Sequence, residues 1–240
     1  MKYPFRSKIL PLFTILAGAV GFALRLWLFS AIDHKALLPA GHPAGTILFI
    51  LTALVLGILF LTTRRIDHRP IPEKAQRFIA FTAYLLGGVG LILTGLTDLS
   101  VSAAKLALLA TIASLAGGVA MIWMGLLKCN GKALPYGLPA VLTMVLMLDT
   151  VAQCQTWGAV AQVQVYFFPL LASVFLILTA YHKTLLTAGR GKPSALAFFS
   201  QGAMFFCFLS LNTNQWPLYG GMLFWSAVQI IPTILSQKEA

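Results

Sequence analysis

The chain has 240 residues, 59% of them hydrophobic and only 10% charged, with a mean hydropathy of +0.87 and a formal net charge of +11. Ordinary soluble domains are roughly 25% charged. This composition therefore excludes a water-exposed globule of this size and leaves lipid as the solvent for the apolar surface. The pI near 9.9 is not the footprint of a nucleic-acid binder, because the placement of the charges accounts for it.

A spanning helix needs about 20 mainly apolar residues to cross ~30 Å of hydrocarbon. Eight segments meet that need, near 9–32, 45–63, 77–98, 103–128, 137–157, 161–185, 194–212 and 218–236. The expected fold is an all-α polytopic bundle, a single integral membrane domain over 1–240. Each segment is a continuous apolar run without period-two alternation, which argues against a β-barrel. Backbone polar groups in lipid must be satisfied within the segment, which leaves helices.

The first segment opens with Lys2, Arg6 and Lys8, and Ala17-Gly18-Ala19 imitates a signal-peptide cleavage site. Its apolar run continues through Phe22 to Ile32, so it reads as a retained signal anchor. Ala17, Gly21 and Arg25 fall four apart, on one helix stripe suited to a buried face. Leu38 to Pro43 breaks the chain before the second segment, and Pro70 and Pro72 sit in the next connector. In the third and fourth segments, Gly87-Gly88-Val89 with Ile92 and Gly95 is echoed thirty residues later by Gly117-Gly118-Val119 with Ile122 and Gly125. Small residues at such spacing let helix backbones approach closely. Pro139, Pro193 and Pro217 lie near helix starts, where a missing N–H costs little. Pro169 and Pro232 lie inside the sixth and eighth segments and should kink them.

Cytoplasmic loops of membrane proteins collect Lys and Arg. With the N-terminus inside, the inner segments hold Lys2, Arg6, Lys8, Arg64, Arg65, Arg69, Lys74, Arg77, Lys128, Lys132, Lys183, Arg190, Lys192 and Lys238, which is 14 of the 17 basic residues. The remaining Arg25, Lys35 and Lys105 balance Asp33, Asp98 and Asp149. The whole positive excess falls on one side, which predicts eight crossings, both termini cytoplasmic, in a plasma or cytoplasmic membrane. Trp27, Trp157 and Trp216 fall near outer ends and Trp123 near an inner end, as interfacial belt residues do, whereas Trp225 lies deeper.

Ionisable groups inside a membrane are costly and face the bundle interior or a wet cavity. Arg25 and Asp149 both lie within spans. The expected site is an outward-facing polar cavity shared by Arg25 and Asp149, with Asp98 from the third span and Gln153, Tyr166 and Asn212 from the fifth to seventh. Kinked segment six flanks it. Gln155, Gln162, Gln164, Asn214 and Gln215 also lie in the outer half, whereas Gln76, Asn130, Gln201 and Gln237 are the inner counterparts.

No HExxH, GxSxG, Walker or dinucleotide pattern occurs, and Cys129, Cys154 and Cys207 have no CxxC spacing. No cofactor or metal is therefore implied. His34, His42 and Asp33 share the first outer connector and offer a minor alternative metal cluster. The leading functional expectation is transport or binding of a small solute or ion, with the lipid bilayer as the chain's environment. The second is a scaffold or accessory subunit whose small-residue faces serve a membrane-protein partner. The third is an enzyme on lipid-linked substrates using Asp149 and Asp98, for which no nucleophile–base constellation is visible.

Overall fold

Apolar runs of this length satisfy their backbone only as helices, and the local signals at their ends decide where each begins and stops. The computed structural model describes residues 4–31, 42–64, 77–99, 105–157 and 163–229. Eight helices lie among them: α1 (Pro4–Ser30), α2 (Pro43–Thr63), α3 (Arg77–Leu99), α4 (Lys105–Cys129), α5 (Gly137–Trp157), α6 (Val163–Thr187), α7 (Pro193–Ser210) and α8 (Trp216–Val228). Pro43 and Pro193 open α2 and α7 at the first turn, and the His42 side chain caps α2 by accepting from the Ala44 N–H at 3.3 Å. Glycines at positive φ, Gly131 (65°) and Gly189 (75°), close α4 and α6. In both, the amide after the glycine returns to a carbonyl five residues earlier: Lys132 to Leu127, and Arg190 to Leu185.

Seven of the helices are long and apolar enough to cross a bilayer, and the chain is a multi-pass membrane helical protein. Of the eighth, the described part is α8 alone. Its 13 described residues rise only about 20 Å. The rest of the expected 218–236 span, including Pro232, runs into positions outside the described residues. Within the spans, hydroxyls turn back onto their own helix, as Thr52 does to the Leu48 carbonyl and Thr94 to that of Gly90. Leu12, Phe49, Ile50, Leu61, Phe78, Val119 and Met144 point outward, which in lipid is the satisfied state. Trp27, Trp123 and Trp216 are also exposed, while Trp225 is buried against Tyr84.

Packing partners define a closed circuit of six helices, α3–α4–α5–α6–α7–α8 and back to α3, with the α1–α2 hairpin laid on α7. Neighbours within the circuit run antiparallel. Gly125 meets Phe81 and Tyr84, Gly118 meets Gly88 and Ile92, and Gly95 meets Thr111 and Leu115, so α3 rises as α4 descends. Likewise Gly90 meets Pro217, Gly221 meets Leu86 and Gly87, and Tyr84 meets Trp225 along α3 and α8. Phe175 packs on Gly202 while His182 stacks on Phe199, which sets α6 against α7. Phe60, near the end of α2, touches Phe198, near the start of α7.

The paired glycines have a concrete use. A Cβ on Gly88 would stand 2.6 Å from the Gly118 carbonyl, and one on Gly118 equally close to that of Gly88. A Cβ on Gly117 would strike Val145 of α5 at 2.7 Å, and one on Gly87 would strike Met121 at 2.5 Å. These small faces are filled by the chain's own helices. The same helix directions bring Arg64, Arg77, Lys128, Lys132, Lys183, Arg190 and Lys192 to one end of the bundle.

Candidate functional site

The α1 stripe of Ala17, Gly21 and Arg25 is buried, as a stripe of two small residues and one charge requires. It faces α7: Gly18 lies under Phe208 and Gly21 under Leu209. This close approach carries the Arg25 side chain across to donate from its guanidinium to the Leu209 carbonyl, in the last turn of α7. Leu209 is among the C-terminal residues whose carbonyls lack a helical partner, so a cation there completes the helix end. The guanidinium also lies 5.3 Å from the Phe29 ring centre and 5.7 Å from that of Phe168 on α6. Arg25 is 1% exposed.

Asp149 projects inward from α5 and accepts from the Gln153 amide at 2.5 Å, one turn along the same helix. It is 4% exposed. Tyr219 of α8 is fully buried and within electrostatic reach of both Arg25 and Asp149. Its hydroxyl donates to the Pro169 carbonyl at 3.3 Å and lies 3.4 Å from the Ser173 hydroxyl. Composition alone does not single out Tyr219. The available signal is one tyrosine two residues before Gly221, which seats α8 against α3.

The connection between α7 and α8 is half-buried, with Asn214 exposed. It runs Leu211-Asn212-Thr213-Asn214-Gln215, and Thr213 braces it by donating to the Ser210 carbonyl at 2.7 Å. Leu209 is level with Arg25, yet α1 continues five residues further to Ser30, about 7 Å along its axis. Pro217 is level with Gly90, yet α3 continues nine residues to Leu99, about 13 Å. Asp149 lies eight residues short of the α5 end, about 12 Å. The polar turn is thus recessed below the ends of its neighbours, directly over the Arg25–Tyr219–Asp149 cluster. Asn212 holds its side-chain oxygen buried without a hydrogen-bond partner among the described residues.

Of the residues expected at the site, Arg25, Asp149, Gln153 and Asn212 fall in this region. Tyr166 is half-buried near the start of α6, three residues before Pro169. Asp98 lies on the last turn of α3, about 12 Å beyond Gly90 along the axis and towards the rim. Its side chain lies outside the described residues. Among the described residues, Leu209 and Phe168 are buried beside Arg25, and Tyr219 is buried within reach of both charges. His42 is occupied as the α2 cap and by an edge contact with Trp27 at 5.3 Å, while His34 and Asp33 lie outside the described residues. Cys207 is buried, and Cys129 and Cys154 are exposed, all three as free thiols. No family, curated protein or solved structure matches the chain.

Proposed function

We propose that the chain binds and moves a small polar solute or ion through a site reached from the extracytoplasmic side. The carrying observation is the recessed α7–α8 turn over the Arg25–Tyr219–Asp149 cluster. Irregular polar backbone at membrane depth is tolerated where it is buried in protein or lines a water-filled cavity, and transporters place binding groups at such helix breaks. Intramembrane charges carry the same implication. In this reading α6, which carries Pro169 beside Tyr219, is the helix whose movement opens the site.

In this reading the chain crosses the bilayer eight times. The end carrying Arg64, Arg77, Lys128, Lys132, Lys183, Arg190 and Lys192 is cytoplasmic, by the positive-inside rule. The cluster then lies towards the outer leaflet of a plasma or cytoplasmic membrane, with both termini inside.

The scaffold reading loses ground because Gly87, Gly88, Gly117 and Gly118 are consumed by contacts among α3, α4, α5 and α8. The lipid-enzyme reading keeps Asp149 and Asp98 as its acid–base pair, but Asp98 sits towards the rim, away from the level of Tyr219.

The test is uptake into proteoliposomes of a panel of radiolabelled amino acids, sugars and inorganic ions. The wild type accumulates at least one, and Asp149→Asn abolishes that uptake while reconstituting in equal amount. Undiminished transport by Asp149→Asn rejects the role.

A further inference from the structure

Far from the Arg25–Asp149 cluster, at the basic end of the bundle, α2 and α6 flank α7 and leave Phe198 as the floor between them. Phe198 packs edge-on against Phe60 of α2, with centres 6.1 Å apart, and against Phe175 of α6 at 6.0 Å. Phe60 and its neighbour Leu61 are exposed and Phe198 is half-buried, so one wall of this groove faces outward and its floor is partly open. The mouth is cationic. Arg64 stands one turn beyond Phe60, with its guanidinium carbon 5.5 Å from that ring centre. Lys192 stands six residues before Phe198, immediately ahead of α7, and Arg190 lies two residues earlier. Along the axis Arg64 and Lys192 are about 6 and 9 Å from the Phe60–Phe198 contact, so they share one level. All three cations are exposed.

We propose that this groove is a binding site for one anionic phospholipid. The headgroup phosphate sits among Arg64, Arg190 and Lys192, and an acyl chain lies along Phe60 and Phe198. The argument is charge complementarity joined to depth. Cations set at the level where a span ends meet the phosphate layer, and the aromatic strip below them meets the hydrocarbon. Guanidinium groups bind phosphate through paired donors, which suits Arg64 and Arg190 to the task. A free anion would use the cations and ignore the strip. A zwitterionic lipid would use the strip and gain little from the cations. This site does not depend on which solute, if any, the opposite end binds.

The test uses the whole purified chain in detergent and follows its thermal unfolding as phosphatidylglycerol, phosphatidylcholine or inorganic phosphate is added. Phosphatidylglycerol raises the midpoint at low concentration, and the other two do not. In the variant Arg64→Gln/Arg190→Gln/Lys192→Gln, the concentration needed for the same rise increases on the order of a hundredfold. Should that variant not fold, Lys192→Gln alone shifts it about fivefold. An equal response to phosphatidylcholine, the same effect from phosphate alone, or an undiminished response in the variants overturns the proposal.

Discussion

The Tyr219 hydroxyl of α8 donates to the Pro169 carbonyl of α6 at 3.3 Å, with Ser173 at 3.4 Å on the next turn. The bond ties the helix that closes the six-helix circuit to α6, the proline-containing helix beside Arg25. Interhelical hydrogen bonds in membranes contribute about 0.6 kcal/mol each, rising to ~1.7. Tyr219→Phe keeps the ring and removes the bond. It should lower stability by about 1 kcal/mol, read as a fall of about 2–4 °C in the unfolding midpoint in detergent. No change in midpoint would mean that the bond contributes nothing net to stability.

The α3–α4 crossing should be intolerant of a single methyl group. Gly88→Ala places a carbon 2.6 Å from the Gly118 carbonyl, backbone that cannot swing aside. Overpacking of this kind costs about 1–3 kcal/mol. Gly57 on α2 has nothing within 4 Å of the same position, so Gly57→Ala should be neutral or slightly stabilising through helix propensity. Denaturation of the two variants in parallel checks the contrast, and equal behaviour would refute the crossing.

Arg25 should resist conservative exchange. Its planar guanidinium donates to Leu209 while lying between the Phe29 and Phe168 rings. A lysine has neither the fork nor the flat face. Arg25→Lys should lose about 1.5–3 kcal/mol, the range for a hydrogen bond to a charged group, as measured by unfolding in detergent. Retained stability would show that position 25 needs only a positive charge.

Gly131 combines two constraints. Its φ of 65° favours glycine, and a Cβ there would stand 2.7 Å from the Arg77 guanidinium. Gly131→Ala should cost about 1–2 kcal/mol, the penalty for a side chain in left-handed backbone. Gly189→Ala, at φ 75° with open space around it, isolates the backbone share of that cost. The difference between the two unfolding midpoints measures the Arg77 contact, and identical losses would remove it.

Helix existence and direction were legible because both rest on local signals. Apolar run length, prolines at first turns and lysines near ends act within a few residues. Arg25 and Asp149 stood out because a charge in a greasy run has few innocent explanations. Tyr219 did not, since an aromatic in an apolar span is ordinary packing until the neighbouring helix is placed. The glycine repeat was visible, but whether it served partners or the chain itself depended on Gly88 meeting Gly118 across a hairpin. Pro11 lies inside α1, which continues through it; the first-span reading named only Pro169 and Pro232 as interior prolines. The recessed α7–α8 turn was illegible for a similar reason. Hydropathy places a turn along the chain but not along the membrane normal, and only the pairing of Gly90 with Pro217 sets its depth.

Thiol labelling of intact cells with a membrane-impermeant maleimide tests the central claim most directly, using single cysteines in a background with Cys129, Cys154 and Cys207 replaced by serine. Asn214→Cys, at the exposed position of the α7–α8 turn, should react from outside without lysis, while Arg64→Cys and Arg190→Cys should react only after it. An Asn214→Cys that stays unlabelled on both sides, or that shares a side with Arg190→Cys, would contradict a solute site beneath the recessed turn.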